Sequence, residues 1–145
     1  MRADARGHQH RGTRQVNGRR IAALLLAVSA VTFWVASAIH FGVSVTLGVA
    51  TVSDPFAGAA IPEAVVGATV ALGSLALWSG RSAGRGIALA TTGFAILVTL
   101  YGLSVTLSGG RTADVAYHVS VLAVLLVSLG MLLGERRRAI VPSEW

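Results

Sequence analysis

The chain has 145 residues, of which 54% are hydrophobic and 12% charged, and its mean hydropathy is +0.70. An average soluble domain carries about 25% charged residues, so this composition excludes a soluble domain and leaves a membrane protein with room for one four-helix domain. The net charge of +6 is carried by arginine without a single lysine; these arginines flank apolar stretches or lie in the tails, where they orient helices and attract anionic headgroups, so no nucleic-acid partner is expected.

Cysteine is absent. That rules out disulfides, thiolate-ligated clusters and thiol relays, and it leaves His, Asp, Glu and Tyr as candidate ligands or acid–base groups. Residues 1–20 are polar and arginine-rich without a hydrophobic period, so a disordered basic tail is expected there, on the cytoplasmic side. His8 and His10 read as solvated tail residues rather than as a metal pair.

The first apolar stretch runs from Ile21 to Val43, IAALLLAVSAVTFWVASAIHFGV. At roughly 1.5 Å per residue it covers about 34 Å, enough to cross a hydrocarbon core of about 30 Å. A basic start and the small residues Ala36-Ser37-Ala38 also fit a cleaved leader. The apolar run nevertheless continues through Ile39, Phe41 and Val43, which favours a retained helix.

Ser44 to Ile61 is rich in Gly and small residues and contains Asp54-Pro55, a turn signal. It reads either as a loop folded onto the membrane surface or as a continuation of the first helix. Pro62-Glu63 gives the start signal for a second helix over 62–79, with proline at the first position and a carboxylate in the first turn. Trp78 suits the opposite interface. A third helix is expected over 87–107 and a fourth over 113–133, with Gly134 as C-cap and a short cytoplasmic tail over 135–145.

Six arginines precede the first helix, two lie between the second and third, and three follow the fourth; only Arg111 falls on the other side. This eleven-to-one asymmetry predicts an all-α, four-transmembrane-helix bundle with both termini cytoplasmic, multi-pass in a bacterial-type plasma membrane. The heptapeptides Phe41–Leu47 and Tyr101–Leu107 match at five of seven positions with an offset of sixty residues. The same offset superposes Asp54 on Asp114, which raises the expectation of two parallel helical-hairpin repeats.

This orientation gathers His40, Asp54, Glu63, Tyr101, Asp114, Tyr117 and His118 in the outer third of the bilayer. Asp114, Tyr117 and His118 share or border one face of the fourth helix. Ser29, Phe33, Ser37, His40 and Ser44 form a semi-polar stripe on the first, and Glu63, Gly67, Val70 and Ser74 form another on the second. Small residues on those stripes permit close helix packing, and turning ionisable groups to lipid would cost a few kcal/mol each, so the stripes are expected to face inward.

Two readings of function follow. The first is a non-catalytic membrane protein acting through helix–helix contact with itself or a larger membrane complex, by way of Gly67 and Ala71 or Ala64 and Ala68. Glu63 and Asp114 would then sit in first turns for the helix dipole, worth about 0.3–1 kcal/mol, and the tyrosines would be interfacial. The alternative is a redox or metal-handling protein in which His40, Glu63 and His118 hold a metal ion, with Asp114 orienting His118, or in which His40 and His118 are axial ligands of a haem. No polar path reaches the cytoplasmic half, so transport is not expected.

Overall fold

A computed structural model describes residues 5–109 and 112–140, with side chains over 17–46, 48–56, 58–109 and 112–134. Four helices dominate it: α1 Ala5–His40, α2 Ala57–Trp78, α3 Gly84–Leu107 and α4 Thr112–Ile140. Within them Asn17–His40, Gly58–Trp78, Gly84–Leu107 and Thr112–Gly134 are each long and apolar enough to cross a membrane. Each helix packs against its neighbour in sequence, and α1 closes the ring against α4.

The helix ends differ from the sequence expectation in instructive ways. Helix α1 begins at Ala5 rather than Ile21, so the basic segment ahead of the span is helical instead of disordered: once the long apolar helix supplies a nucleus, each added residue brings a hydrogen bond at little cost. The His8 and His10 side chains lie outside the described residues. Helix α4 likewise runs on to Ile140, past Gly134 and into the segment expected to be tail.

Helix α2 starts at Ala57, with Phe56 as N-cap, and Pro62 lies inside it. A proline there removes one hydrogen bond and crowds the carbonyl four residues back. That carbonyl belongs to Gly58, in the first turn, where a side-chain-free residue limits the clash. Glu63 therefore occupies the second turn and not the first.

Between α1 and α2 the chain forms a β-hairpin, β1 Val45–Leu47 and β2 Ala50–Val52, antiparallel with Thr46 opposite Thr51. Gly48 at φ +62° supplies the positive φ that a two-residue hairpin turn requires. The Phe56 N–H donates to the His40 carbonyl at 2.9 Å, tying the base of the loop to the end of α1. The repeated heptapeptide thus takes two conformations: turn and strand at 41–47, helix at 101–107.

The core is built from small and branched residues, Ala22, Ala23, Leu26, Ala30, Val66, Val70, Ala88, Ala95, Leu125 and Leu132 among them. Within the helices the semi-polar stripes are turned inward, with Ser29, Phe33, Ser37, Glu63, Val70 and Ser74 all buried; Ser44 lies beyond the end of α1 and is exposed. The Ser37 hydroxyl donates across to the Ala60 carbonyl at 2.7 Å, and Ser74 to the Ala23 carbonyl at 2.8 Å, stitching α1 to α2 at both ends. Gly67 is consumed in that interface, since a Cβ on it would strike the Trp34 indole and approach the Ala30 carbonyl.

At the end of the bundle away from His40, two arginines reach helix carbonyls. Arg19 Nε donates to the Leu77 carbonyl at 2.8 Å, and Arg85 Nε and Nη2 donate to the Leu132 carbonyl at 3.0 and 2.7 Å. A cation at these points meets the negative end of α2 and an inner-turn carbonyl of α4. The outward faces are strongly apolar, with Leu24, Val28, Val31, Leu72, Leu75, Leu97 and Leu126 all exposed.

Candidate functional site

The opposite end of the bundle opens into a cavity of about 780 Å³, bounded by α1, the α1–α2 connection and the adjoining ends of α2, α3 and α4. His40, Asp54, Glu63, Tyr101, Asp114, Tyr117 and His118 all line it, so the residues singled out from sequence share one chamber. Most of the remaining wall is apolar, with Phe33, Ile39, Phe56, Val66 and Val98 prominent.

His40 is the hinge of its chemistry. Its position as the last residue of α1 brings the ring under the loop and against α2. Nδ1 donates to Glu63 Oε2 at 2.7 Å, and Nε2 lies 4.0 Å from Asp54 Oδ2. Phe56 meets the imidazole edge-on, with centroids 6.2 Å apart. The Glu63 side chain is 9% exposed, that of His40 16% and that of Asp54 27%, so the three form a graded line from the interior to the mouth.

Helix α4 supplies the facing groups. The Tyr117 hydroxyl is shielded from solvent and directed toward the Glu63 carboxylate, with which it interacts short of a direct hydrogen bond. His118 lies within electrostatic reach of the same carboxylate. Its Nδ1 donates to the Asp114 carbonyl at 2.7 Å, one turn back, and its ring packs edge-on against Tyr117, centroids 5.0 Å apart. The Asp114 backbone carbonyl thus orients His118.

The other edge of the His118 ring lies against α3 at Gly102, where a Cβ would come within 2.5 Å of Nε2. A glycine at this crossing is what lets the imidazole lie flat between the two helices. Tyr101 and Asp54 stand nearer the rim.

With regard to a metal or haem, the donors His40, Glu63 and His118 are of suitable chemical type. Each histidine, however, spends Nδ1 on a protein acceptor and turns Nε2 elsewhere, one toward Asp54 and the other onto Gly102. Among the described residues no group of three or more His, Asp or Glu side chains is arranged to hold a metal ion. Coordination of a shared metal would require both rings to turn.

Three features of this end gave little sign in the sequence. The hairpin over 45–52 is short: Val45-Thr46-Leu47 and Ala50-Thr51-Val52 each alternate apolar and polar, but over three residues only, too few to mark a strand. The pairing of His40 with Glu63 depends on α2 beginning at Ala57, ahead of the proline signal. The approach of the Tyr117 hydroxyl to Glu63 emerges only from tertiary placement. No protein-family model matches the chain, and no curated protein or solved structure matches it either.

Proposed function

We propose that this chain is a multi-pass protein of a bacterial-type plasma membrane, with both termini in the cytoplasm, that acts non-catalytically by binding a small ligand in the chamber at its outer end. The arginine distribution supports the orientation. The binding reading rests on one observation: a shielded, hydrogen-bonded His40–Glu63 pair, with the shielded Tyr117 hydroxyl directed toward it, facing a mostly apolar chamber of about 780 Å³. An apolar pocket with a few convergent polar groups is the usual form of a small-ligand site.

Helix–helix association with itself or a larger membrane complex belongs to the same reading. Gly67 is occupied internally, which leaves the exposed Ala68 and half-buried Ala64 as the small-residue face for a partner helix.

The natural absence of cysteine makes the chamber easy to probe. Val98→Cys, on its wall, is expected to react with a membrane-impermeant maleimide added outside intact cells. Ala88→Cys, buried on α3 toward the opposite end, is expected not to react. Protection of Val98→Cys from the reagent would sink the binding reading.

A further inference from the structure

We propose that the end of the bundle away from the chamber holds an anionic phospholipid, with its phosphodiester head seated among Arg19, Arg20 and Trp78 and its acyl chains along the exposed apolar stripe of α1. The site is separate from the chamber and does not depend on what the chamber binds.

A pocket of about 270 Å³ opens at that end, lined by Arg19, Arg20, Ala23, Leu77, Trp78 and Gly80. Its form comes from the way α2 stops. Gly80, at φ +74°, turns the chain away after Ser79, and the space where its Cβ would stand is open. Ala23 and Leu77 are both buried and give the pocket an apolar base. Arg19 is held at the wall by bonds to the Leu77 and Arg81 carbonyls, at 2.8 and 3.4 Å, which engage two of the five N–H donors of a guanidinium. Arg20 is exposed beside it. The Trp78 indole, 62% exposed, adds an N–H donor at the level where interfacial tryptophans meet headgroups.

Charge selects the head. A guanidinium stays charged throughout the physiological pH range, so the pocket presents two fixed cations. The carboxylates whose side chains are described, Asp54, Glu63 and Asp114, all line the chamber instead. In the sequence ahead of Ile21, over 79–86 and beyond Leu133, eleven arginines stand against three acids, Asp4, Glu135 and Glu144; pairing every one of those acids still leaves a large positive excess. A head of net negative charge gains from that field, whereas a zwitterionic head brings its own cation against it. Helix spacing accounts for the chains. Arg20, Leu24, Val28 and Val31 recur at four, four and three residues, so they share one face of α1, and all are exposed. On α2, Leu75 and Leu72 continue the exposed apolar surface from Trp78 toward the middle of the span. A free phosphate would use only the basic pocket; a phospholipid uses the pocket and the stripe together.

The experiment is native mass spectrometry of the detergent-purified full chain titrated with dioleoyl phosphatidylglycerol and dioleoyl phosphatidylcholine, which share their acyl chains and differ in net charge. The first phosphatidylglycerol is expected to bind at least about fivefold more tightly than phosphatidylcholine, the ratio that one arginine near an anionic membrane surface supplies. Arg20→Gln is expected to weaken phosphatidylglycerol by about fivefold. Arg81→Gln removes the same charge from the same end but outside the pocket lining, and it should change that affinity by less than about twofold. The selectivity of the unmodified protein does not depend on any variant folding. Equal binding of the two lipids would overturn the proposal. Equal weakening by the two substitutions would do so as well, since it would reduce the pocket to diffuse attraction. Displacement of phosphatidylglycerol by an equal concentration of inorganic phosphate would reassign the site to a free anion and end the lipid proposal.

Discussion

At residue scale, the fate of Glu63 is set by what it can reach. It lies on the buried face of α2, and His40 is the side chain that donates to it within hydrogen-bond distance. His40→Ala would leave a shielded carboxylate without that donor, a change expected to cost about 1–3 kcal/mol, whereas Glu63→Gln retains an acceptor and should unfold close to the parent protein. Equilibrium unfolding in mixed SDS micelles ranks the two, and equal costs would mean that the pair contributes no specific bond. Gly102→Ala tests the facing side. The added methyl overlaps the His118 ring, so the imidazole must swing away from the Asp114 carbonyl, with an overpacking cost of about 1–3 kcal/mol and a displaced His118 ring resonance in NMR spectra. The inward direction of these residues was legible beforehand, because Ser29, Phe33, Ser37 and His40 recur at helical spacing and lipid penalises the alternative. Their pairing was not: spacing along one helix carries no information about which residue of the next helix stands opposite.

At the scale of elements, the α1–α2 and α3–α4 hairpins share a device despite differing in their loops. In each, an arginine from the first helix donates to a carbonyl of the second, Arg19 to Leu77 and Arg85 to Leu132. Arg85→Gln removes two charge-assisted bonds to one oxygen and is expected to lower stability by about 1–3 kcal/mol, seen as a shift of the SDS unfolding midpoint with helix content unchanged. No change would reduce Arg85 to an orientation signal. The four apolar spans were plain from hydropathy because nothing but a helix satisfies its own backbone in hydrocarbon. The ends were harder to read. A proline signals a helix start only in competition with the packing around it, and here the turn at Asp54-Pro55 and the bond from Phe56 to His40 let α2 begin before Pro62. The paired heptapeptides make the same point, since nearly identical residues form a helix where α3 continues and a strand where α1 has ended.

At the scale of the whole molecule, the two ends of the bundle are chemically unlike. One holds arginines bonded to carbonyls; the other holds histidines and carboxylates around a chamber. A reporter fused after residue 145 is expected to be active in the cytoplasm, and an extracellular C-terminus would invert every assignment of inside and outside made from the arginines. Metal analysis and a visible spectrum of purified protein are expected to show neither stoichiometric metal nor a Soret band; either signal would return His40 and His118 to the role of ligands. The hairpin over 45–52 carries a further implication. Among the described residues its two strands pair only with each other, and its tip at Val49 is fully exposed, so amide and carbonyl groups along the outer flanks call for partners such as water. Oil offers none. The ribbon must therefore ride at the waterline, and because it begins five residues after the helix that ends at His40, it sets the draught of the molecule: the imidazole cannot sink far below the surface without dragging bare peptide edges after it.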